Sequence, residues 1–345
     1  MTFMYPVIII GAGASTDYIN RDYNTKPDGY IPPLSNNLFD PKRFEKWMNK
    51  RPEISGLVAD ALTYVPHKFT IEQYLTKIRA ESKENESRKK QLLSMMYYLQ
   101  DLFFDISENY GNQTSNNLKA LINKINDKIY NSNGAACFIS FNYDILLEQN
   151  LTEYISDSLD SYIRNQIRVI KPHGSCDWVY YIESHFNEIK DPYKHVLSYT
   201  NFLEAIENQK LSLSPRRRTK NFMFSYTFSN ENGRANYCPA LALPLENKQK
   251  FICPQSHIDK MVEALKQTDR ILIVGWRAND KNLKLLIAEN IQPGTKVKIV
   301  SGKKSSAEEI KNNLVDLKSA IFDISEKKGF SDFMKSGECD DFLNK

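Results

Sequence analysis

The chain has 345 residues, 41% of them hydrophobic and 26% charged, with a formal net charge of +4 at pH 7. That length suits one large domain or two small ones and can bury a sizeable core. The charge is too small to argue for nucleic acid, no apolar run approaches the roughly 20 residues that span a bilayer, and the first residues lack a signal-peptide pattern, so the expectation is a cytoplasmic protein with no membrane partner.

Val7, Ile8, Ile9 and Ile10 read as a short strand buried on both faces, as in the middle of a parallel sheet. It runs into Gly11-Ala12-Gly13-Ala14-Ser15, where glycine permits a tight turn and close approach to a ligand. A helix starting there points its unpaired N–H groups and positive dipole end at the turn, which suits a pyrophosphate. The spacing Gly-x-Gly-x-x-Thr ends on Thr16 where the dinucleotide fingerprint has a third glycine. Nor does an acidic residue close a second strand about 20 residues on. A plain strand-end turn is the alternative reading of this stretch.

Apolar residues at three- and four-residue spacing then predict helices over 35–47, 53–64, 70–79 and 88–110. Residues 92–104 are apolar on nearly all sides, which reads as a deeply buried helix or, alternatively, an oligomer contact. The polar run 81–87 predicts a solvated break between two helices. A further helix over 118–130 ends at Asn133-Gly134.

Three more apolar, β-rich runs end abruptly in polar residues. One, at 137–144, ends in Phe141-Asn142-Tyr143-Asp144; another, at 168–178, passes through Lys171-Pro172-His173-Gly174-Ser175. The last, at 270–280, ends in Gly275-Trp276-Arg277-Ala278-Asn279-Asp280. Between them, Arg216, Arg217, Arg218 and Lys220 concentrate charge just before the alternating Phe222, Phe224, Tyr226 and Phe228. Basic residues beside aromatics bind single-stranded nucleic acid. The same pattern suits an exposed loop followed by a strand with one buried face, the reading preferred here. Helices over 255–268, 280–290 and 306–317 alternate with strands at 270–274 and 296–300, as in βαβ units. Ligands of open α/β sheets sit outside the carboxyl ends of the strands, so the four polar strand ends are expected to converge on one crevice.

Cys137, Cys176, Cys238, Cys253 and Cys339 are scattered and odd in number, which fits reduced thiols. No pair has Cys-x-x-Cys spacing, so no local zinc knuckles and no metal are expected. Cys137 and Cys176 read as packed beside the site rather than reactive.

The ordered set of motifs resembles the sirtuin-like family, the NAD-binding fold first known from silent-information-regulator deacylases. The likeness runs through Gly-Ala-Gly-Ala-Ser at 11–15, Phe-Asn-Tyr-Asp at 141–144 and His-Gly-Ser-x-x-Trp at 173–178. It continues in Gly-Trp at 275–276, Asp280, and the strand 297–300 that leads into Ser301. It is closest to the bacterial branch that hydrolyses NAD in antiphage defence, to which Pro32-Pro33-Leu34 and the stretch 70–75 are also similar. The resemblance implies an α/β fold: a Rossmann-like parallel sheet of sirtuin type with a large helical insertion (35–131) and a small zinc-free subdomain or lid (185–250), in one NAD-binding domain (1–345). Protein-deacylating sirtuins carry a zinc module that helps shape the acyl-lysine groove, and its absence here argues against a deacylase.

Cleaving NAD at its nicotinamide–ribose bond forms an oxocarbenium-like centre, much as glycoside hydrolysis does. Nicotinamide is already a cationic leaving group, so the reaction needs an oriented ribose, a placed water and removal of that water's proton. An amide can donate to one oxygen and accept from another, which suits Asn142. An imidazole titrates near cytoplasmic pH, which suits His173. The family's catalytic asparagine and histidine match these two residues. From the residues alone, Asn142 also reads as an amide closing a turn and His173 as a core imidazole. Asp144 has three readings: fixing Asn142, bonding a ribose hydroxyl, or capping a helix. The resemblance implies that Gly11, Ala12, Gly13, Ser15 and Thr16 follow the pyrophosphate and that Phe141 borders the ligand. It implies too that Gly275, Trp276 and Asp280 flank the adenosine half, with Ser301 near its ribose. Asp17 departs from the family's usual loop at the nicotinamide pocket. Trp178 reads as core, and His67, His185, His195 and His257 as surface or packing residues.

The expected activity is hydrolysis of NAD, as substrate, to nicotinamide and ADP-ribose by the toxic effector of an abortive-infection system. Such an activity must be held off, so a homo-oligomer or a regulatory partner (an ATPase, an Argonaute-like protein or a phage protein) is expected. The alternatives are a non-catalytic NAD- or ADP-ribose-binding module and a protein deacylase.

Overall fold

Val7–Ile10 (β1) carries no polar side chain and is fully buried, in a computed structural model that describes residues 5–19, 30–68, 70–111, 115–156, 158–183, 210–213, 227–230, 233–246, 250–317 and 319–344. A five-residue helix, Ala12–Thr16 (α1), follows directly. Helices then occupy the sequence up to the second strand: Pro41–Met48 (α2), Ser55–Lys68 (α3), Ile71–Glu81 (α4), Glu86–Tyr110 (α5) and Asn117–Ser132 (α6). Their starts are set by local chemistry. Asp40 caps α2 by accepting from Lys42 N–H, with Pro41 at the first helical position. Thr70 and Gln73 form a reciprocal capping box on α4. Asn85 and Asn116 cap α5 and α6, and α6 stops at Asn133, held at φ 52°.

The predicted helix over 35–47 is split. Ser35–Asn37 makes a single 3-10 turn and α2 begins only at Pro41, because the residue before a proline favours extended backbone. In α5 every residue from Leu92 to Phe104 is buried, as the all-round apolar pattern requires.

Ala136–Ser140 (β2), the short helix Ser161–Arg164 (α7) and Ile167–Ile170 (β3) come next. Gly174–Glu183 (β4) then starts immediately after His173, a strand the motif reading did not separate from the one before it. It pairs antiparallel with Lys210–Leu213 (β5) and Gly233–Leu241 (β7), and β7 pairs with Thr227–Asn230 (β6), giving a small sheet of order β5-β4-β7-β6. Gly174 has φ +75°, and a Cβ there would stand 2.0 Å from Ala240 O, so only glycine fits where the chain passes from one sheet to the other. The basic segment 216–220 and Phe222, Phe224 and Tyr226 lie outside the described residues, as do His185 and His195.

The last third alternates as predicted: Gln255–Gln267 (α8), Arg270–Val274 (β8), Lys281–Asn290 (α9), Lys296–Val300 (β9) and Lys304–Asn313 (α10). Ile321–Ile324 (β10), Gly329–Lys335 (α11) and Glu338–Asn344 (α12) complete it. The large sheet has the order β10-β9-β8-β1-β2-β3, every pair parallel. From the β3 edge its strands run third, second, first, fourth, fifth, sixth along the chain, the doubly wound Rossmann-like order. The expected α/β class with helical insertions is therefore the one observed.

That order reverses direction between β1 and β8, where a ligand crevice opens in such sheets. Register sharpens the point. Ile10 lies opposite Ser140 on one side and Val274 on the other. Gly11, Phe141 and Gly275 therefore leave the sheet side by side.

Candidate active site

The turns after β1 and β8 interlock. Gly11 N–H donates to Val274 O at 3.0 Å and Gly13 N–H to Gly275 O at 3.2 Å. A Cβ on Gly11 would lie 2.5 Å from Gly275 O, and one on Gly275 (φ +64°) only 2.4 Å from Ala14 N. The glycines are thus required by the contact between the two turns themselves. Two N–H groups expected to face a ligand are occupied, Gly13 by Gly275 and Ala14 by Gly11 O.

Above the interlocked turns lies a cleft of about 970 Å³, within the size range of small-molecule sites. Gly11, Ala12, Phe141, Asn142, Asp144, His173, Gly275, Trp276 and Asp280 all line it. Pro32, Pro33 and Leu34, Thr70, Glu72 and Gln73 of the α4 start, and Pro244 to Glu246 after β7 form its other walls. Gly13, Ser15, Thr16 and Ser301 do not line it. Ser15 is buried behind the wall, Thr16 Oγ1 donates to Ala12 O and Pro32 O, and Ser301 O accepts from Gly329 N–H at the end of β9.

Asn142 is 6% exposed, and its orientation is fixed by two donations, Nδ2 to Gly11 O at 3.1 Å and to Ser15 Oγ at 2.8 Å. Its Oδ1 has no partner among the described residues. A buried amide oxygen without a partner is costly, and such cases call for an explanation. Here it belongs to a side chain of the cleft wall.

His173 stands on the segment that leaves β3. Its backbone is pinned by Ala242 N–H donating to His173 O at 2.8 Å. Its Nε2 pairs with Asp280 Oδ2 at 2.7 Å, while Asp280 Oδ1 caps α9 by accepting from Leu283 N–H at 2.9 Å. Asp280, expected beside the adenosine half, thus holds the imidazole of a residue 107 positions away. Phe141 stacks on Trp276 with ring centroids 5.2 Å apart and meets the His173 ring edge-on at 4.7 Å. The aromatic group spans the three strand ends.

Beneath the cleft lies a charge cluster that the motif reading passed over. Lys171 is fully buried, and its Nζ donates to Asp144 O at 2.6 Å, Glu148 Oε1 at 2.8 Å and Ser175 Oγ at 2.8 Å. Burial would lower this ammonium, but Glu148, Asp177, Cys176 and Asp144 outweigh it and hold it above the ordinary lysine range. Burial raises the Asp144 carboxyl against the opposing pull of Lys171, the Ser15 hydroxyl and Leu146 N–H. Ser15 therefore links Asp144 to Asn142, which fits the first of the three readings of that carboxylate. The sequence signal for this cluster is faint: a lysine between Ile170 and Pro172, just past the end of β3.

Asp17 serves the scaffold. Its carboxylate accepts from Ser331 N–H at 3.0 Å and Ser331 Oγ–H at 2.9 Å, tying the end of α1 to α11. Trp178 is fully buried, as expected, and His257 is buried between Tyr162 and Trp178 with Nε2 at 3.0 Å from Leu159 O. Burial pushes the Cys137 thiol up to about 12 and the Cys176 thiol well above its ordinary value, which leaves both unreactive. Among the described residues no group of three or more His, Cys, Asp and Glu is arranged to hold a metal ion, and no helix is long and apolar enough to cross a membrane.

No protein-family model and no curated protein matches the sequence. Among solved structures the chain is similar to a Sir2 homologue in complex with NAD, at 12% identity and a TM-score of 0.46, over 99% of this chain and 91% of that one. It is similar to Sir2Tm bound to a propionylated peptide, at 12% identity and a TM-score of 0.44 over 99% and 94% of the two chains. A triple mutant of Sir2 homologues in complex with 2'-O-acetyl ADP ribose gives 14% identity and a TM-score of 0.45 over 99% and 94%. The fold class itself rests on the strand order and register. The chain is a Rossmann-like α/β protein whose conspicuous cleft lies at the reversal of strand order.

Proposed function

We propose that this protein hydrolyses NAD at its nicotinamide–ribose bond, consuming water and releasing nicotinamide and ADP-ribose. The observation that carries the reading is the buried, unpartnered Oδ1 of Asn142 on the wall of a cleft that His173 also lines. With Nδ2 committed to Gly11 and Ser15, the amide is an acceptor toward the cleft. A ribose hydroxyl or the attacking water supplies the missing donor. A carboxylate can only accept, so Asp280 keeps a proton on His173 Nε2, and the reading gives the role of base to Nδ1 of that ring. That nitrogen takes the proton of water as it attacks. The nicotinamide departs neutral, so no residue need protonate it. Gly11 and Ala12, where a backbone without bulky side chains meets the cleft, suit the pyrophosphate.

The test is to incubate the protein with NAD, with and without an acyl-peptide, and to separate the products by chromatography. Free ADP-ribose supports the hydrolase. O-acyl-ADP-ribose points to a deacylase and unchanged NAD to a binding module. Asn142→Ala and His173→Ala should each lower turnover by about 10²- to 10⁴-fold, the usual contribution of a positioned acid–base group. Full turnover in both variants would falsify the assignment.

The resemblance of the motifs supports a wider role as effector of an antiphage abortive-infection system, held in check by self-association or a regulatory protein subunit. Its signature is a fall in cellular NAD on phage challenge that Asn142→Ala abolishes.

A further inference from the structure

We infer that Lys171 is a positioning residue for the pair Asn142 and His173, tying the two segments that carry them at a fixed separation. The inference rests on the proposed hydrolase reading only for what its kinetics mean; the geometry stands without it.

Lys171 lies two residues before His173, and its Nζ donates at 2.6 Å to the carbonyl of Asp144, two residues after Asn142. A backbone bond from Cys176 N–H to Tyr143 O at 2.8 Å stitches the same two segments on the far side of His173. The ammonium also reaches Glu148, whose Oε1 accepts from Tyr162 Oη–H at 3.4 Å, and Ser175 at the start of β4. One side chain thus gathers the end of β3, the turn after β2 and the first residues of β4.

A purely structural role accounts poorly for a charge at this point. Lys171 and Glu148 are 0% and 1% exposed at their side chains, and burying an ion pair brings no clear gain over an apolar pair of similar volume. What an apolar side chain cannot supply is three donors on a long stem. Those donors fix a carbonyl and a carboxylate of the stretch 144–148 and the hydroxyl of Ser175 relative to the end of β3. Asp144 is tied in addition to Ser15, which holds the Asn142 amide, so displacement of its backbone reaches Asn142 by two routes.

The experiment compares two double variants that remove the Lys171–Glu148 ion pair together; both take the ammonium away from Asp144 and Asp177 alike, so the difference between them isolates the donor. Lys171→Met/Glu148→Gln removes the donor to Asp144 O, whereas Lys171→Gln/Glu148→Gln keeps an N–H donor in an uncharged pair. Thermal melting reports folding. The kcat and KM for NAD report chemistry and binding. The ¹⁵N-histidine NMR spectrum, with its five imidazoles and His173 assigned by His173→Gln, reports the site without turnover. The methionine variant should lose about tenfold or more in kcat, since displacements near 1 Å have costs of this order, with KM little changed and the His173 signal moved. The glutamine variant should recover most of that kcat and the native signal. Equal kcat and an unmoved His173 signal in a folded methionine variant overturn the inference, as does equal loss in both variants. If the methionine variant does not fold, Lys171→Arg keeps the charge but not the point donor. It should lower kcat and move the signal, and no change in either overturns the inference. Wild-type protein that leaves NAD intact, with a His173 signal still moved by the methionine variant, ends the hydrolase reading alone.

Discussion

Asp280 divides its two carboxylate oxygens between two jobs, and Asp280→Asn separates them. Oδ1 accepts from Leu283 N–H at 2.9 Å and caps α9; Oδ2 lies 2.7 Å from His173 Nε2. Asparagine caps a helix about as well as aspartate, so the cap survives. With its oxygen on Leu283 N–H, however, the amide presents NH₂ to Nε2. The imidazole must then give up its Nε2 proton and carry it on Nδ1, the nitrogen assigned to receive the proton of water. Stability should fall by about 1 kcal/mol at most, the difference between a charge-assisted and a neutral hydrogen bond. The kcat should fall by about 10²- to 10⁴-fold, as for loss of a positioned base. Asp280→Ala loses the cap as well, which costs about a further 1 kcal/mol. Urea unfolding measures the first quantity and chromatographic NAD hydrolysis the second. An Asp280→Asn variant that unfolds like wild type and keeps wild-type kcat refutes the assignment of His173 as the base held in one tautomer by Asp280.

Gly275→Ala places a Cβ 2.4 Å from Ala14 N at φ +64°, so left-handed strain and overpacking add to about 3 kcal/mol or more; Gly294→Ala, at φ +82° with open space around it, should show strain alone, about 1 to 2 kcal/mol in the same denaturant assay. Equal losses at the two sites contradict the interlocked turns. Burial, only partly offset by the bond to Leu159 O, holds His257 below its ordinary value of 6.5. The unfolded chain therefore takes up this proton first. The stability that neutral His257 contributes is present above about pH 6.5 and is lost as pH falls through its lower folded value. The urea midpoint of wild type should drop more steeply below that pH than that of His257→Gln, and parallel curves exclude the linkage. Thr70→Ala removes the hydroxyl that accepts from Gln73 N–H at 3.1 Å, leaving the backbone N–H of residue 70 on Gln73 Oε1, and should lower stability by about 1 kcal/mol in urea unfolding; an unchanged midpoint shows that the Thr70 hydroxyl is energetically silent in the α4 cap.

Much of the fold was legible because it is written in short-range chemistry. The apolar run at 7–10 ends where glycine begins, and the strands at 270–274 and 296–300 fall as their hydrophobicity predicts. Thr70 caps its helix with no tertiary partner, at the start that apolar spacing gives, whereas Asn85 and Asn116 start α5 and α6 at Glu86 and Asn117, ahead of the starts that spacing gives at 88 and 118 and partly inside the polar run 81–87. The start of α2 is set by Asp40-Pro41, a local stop that apolar spacing over 35–47 does not reveal. The strand β4 is not separable in the sequence from β3, because its pairing partners lie 29 to 67 positions away and leave no periodic trace in its own sequence.

The site divides in the same way. Gly11, Phe141, Asn142, His173, Gly275 and Asp280 were picked out by their place at strand ends, and all of them line the cleft. Their separate tasks were decided elsewhere. That the glycines serve each other, that Asp280 grips His173, and that Lys171 reaches Asp144 all depend on strand register and on contacts across 27 to 264 positions of chain. Local sequence determines which residues end a strand and which cap a helix, because those energies act within a turn or two. Which buried polar atom meets which partner is settled only when the sheet closes, because burial makes an unmet donor or acceptor costly and leaves few arrangements that satisfy them all.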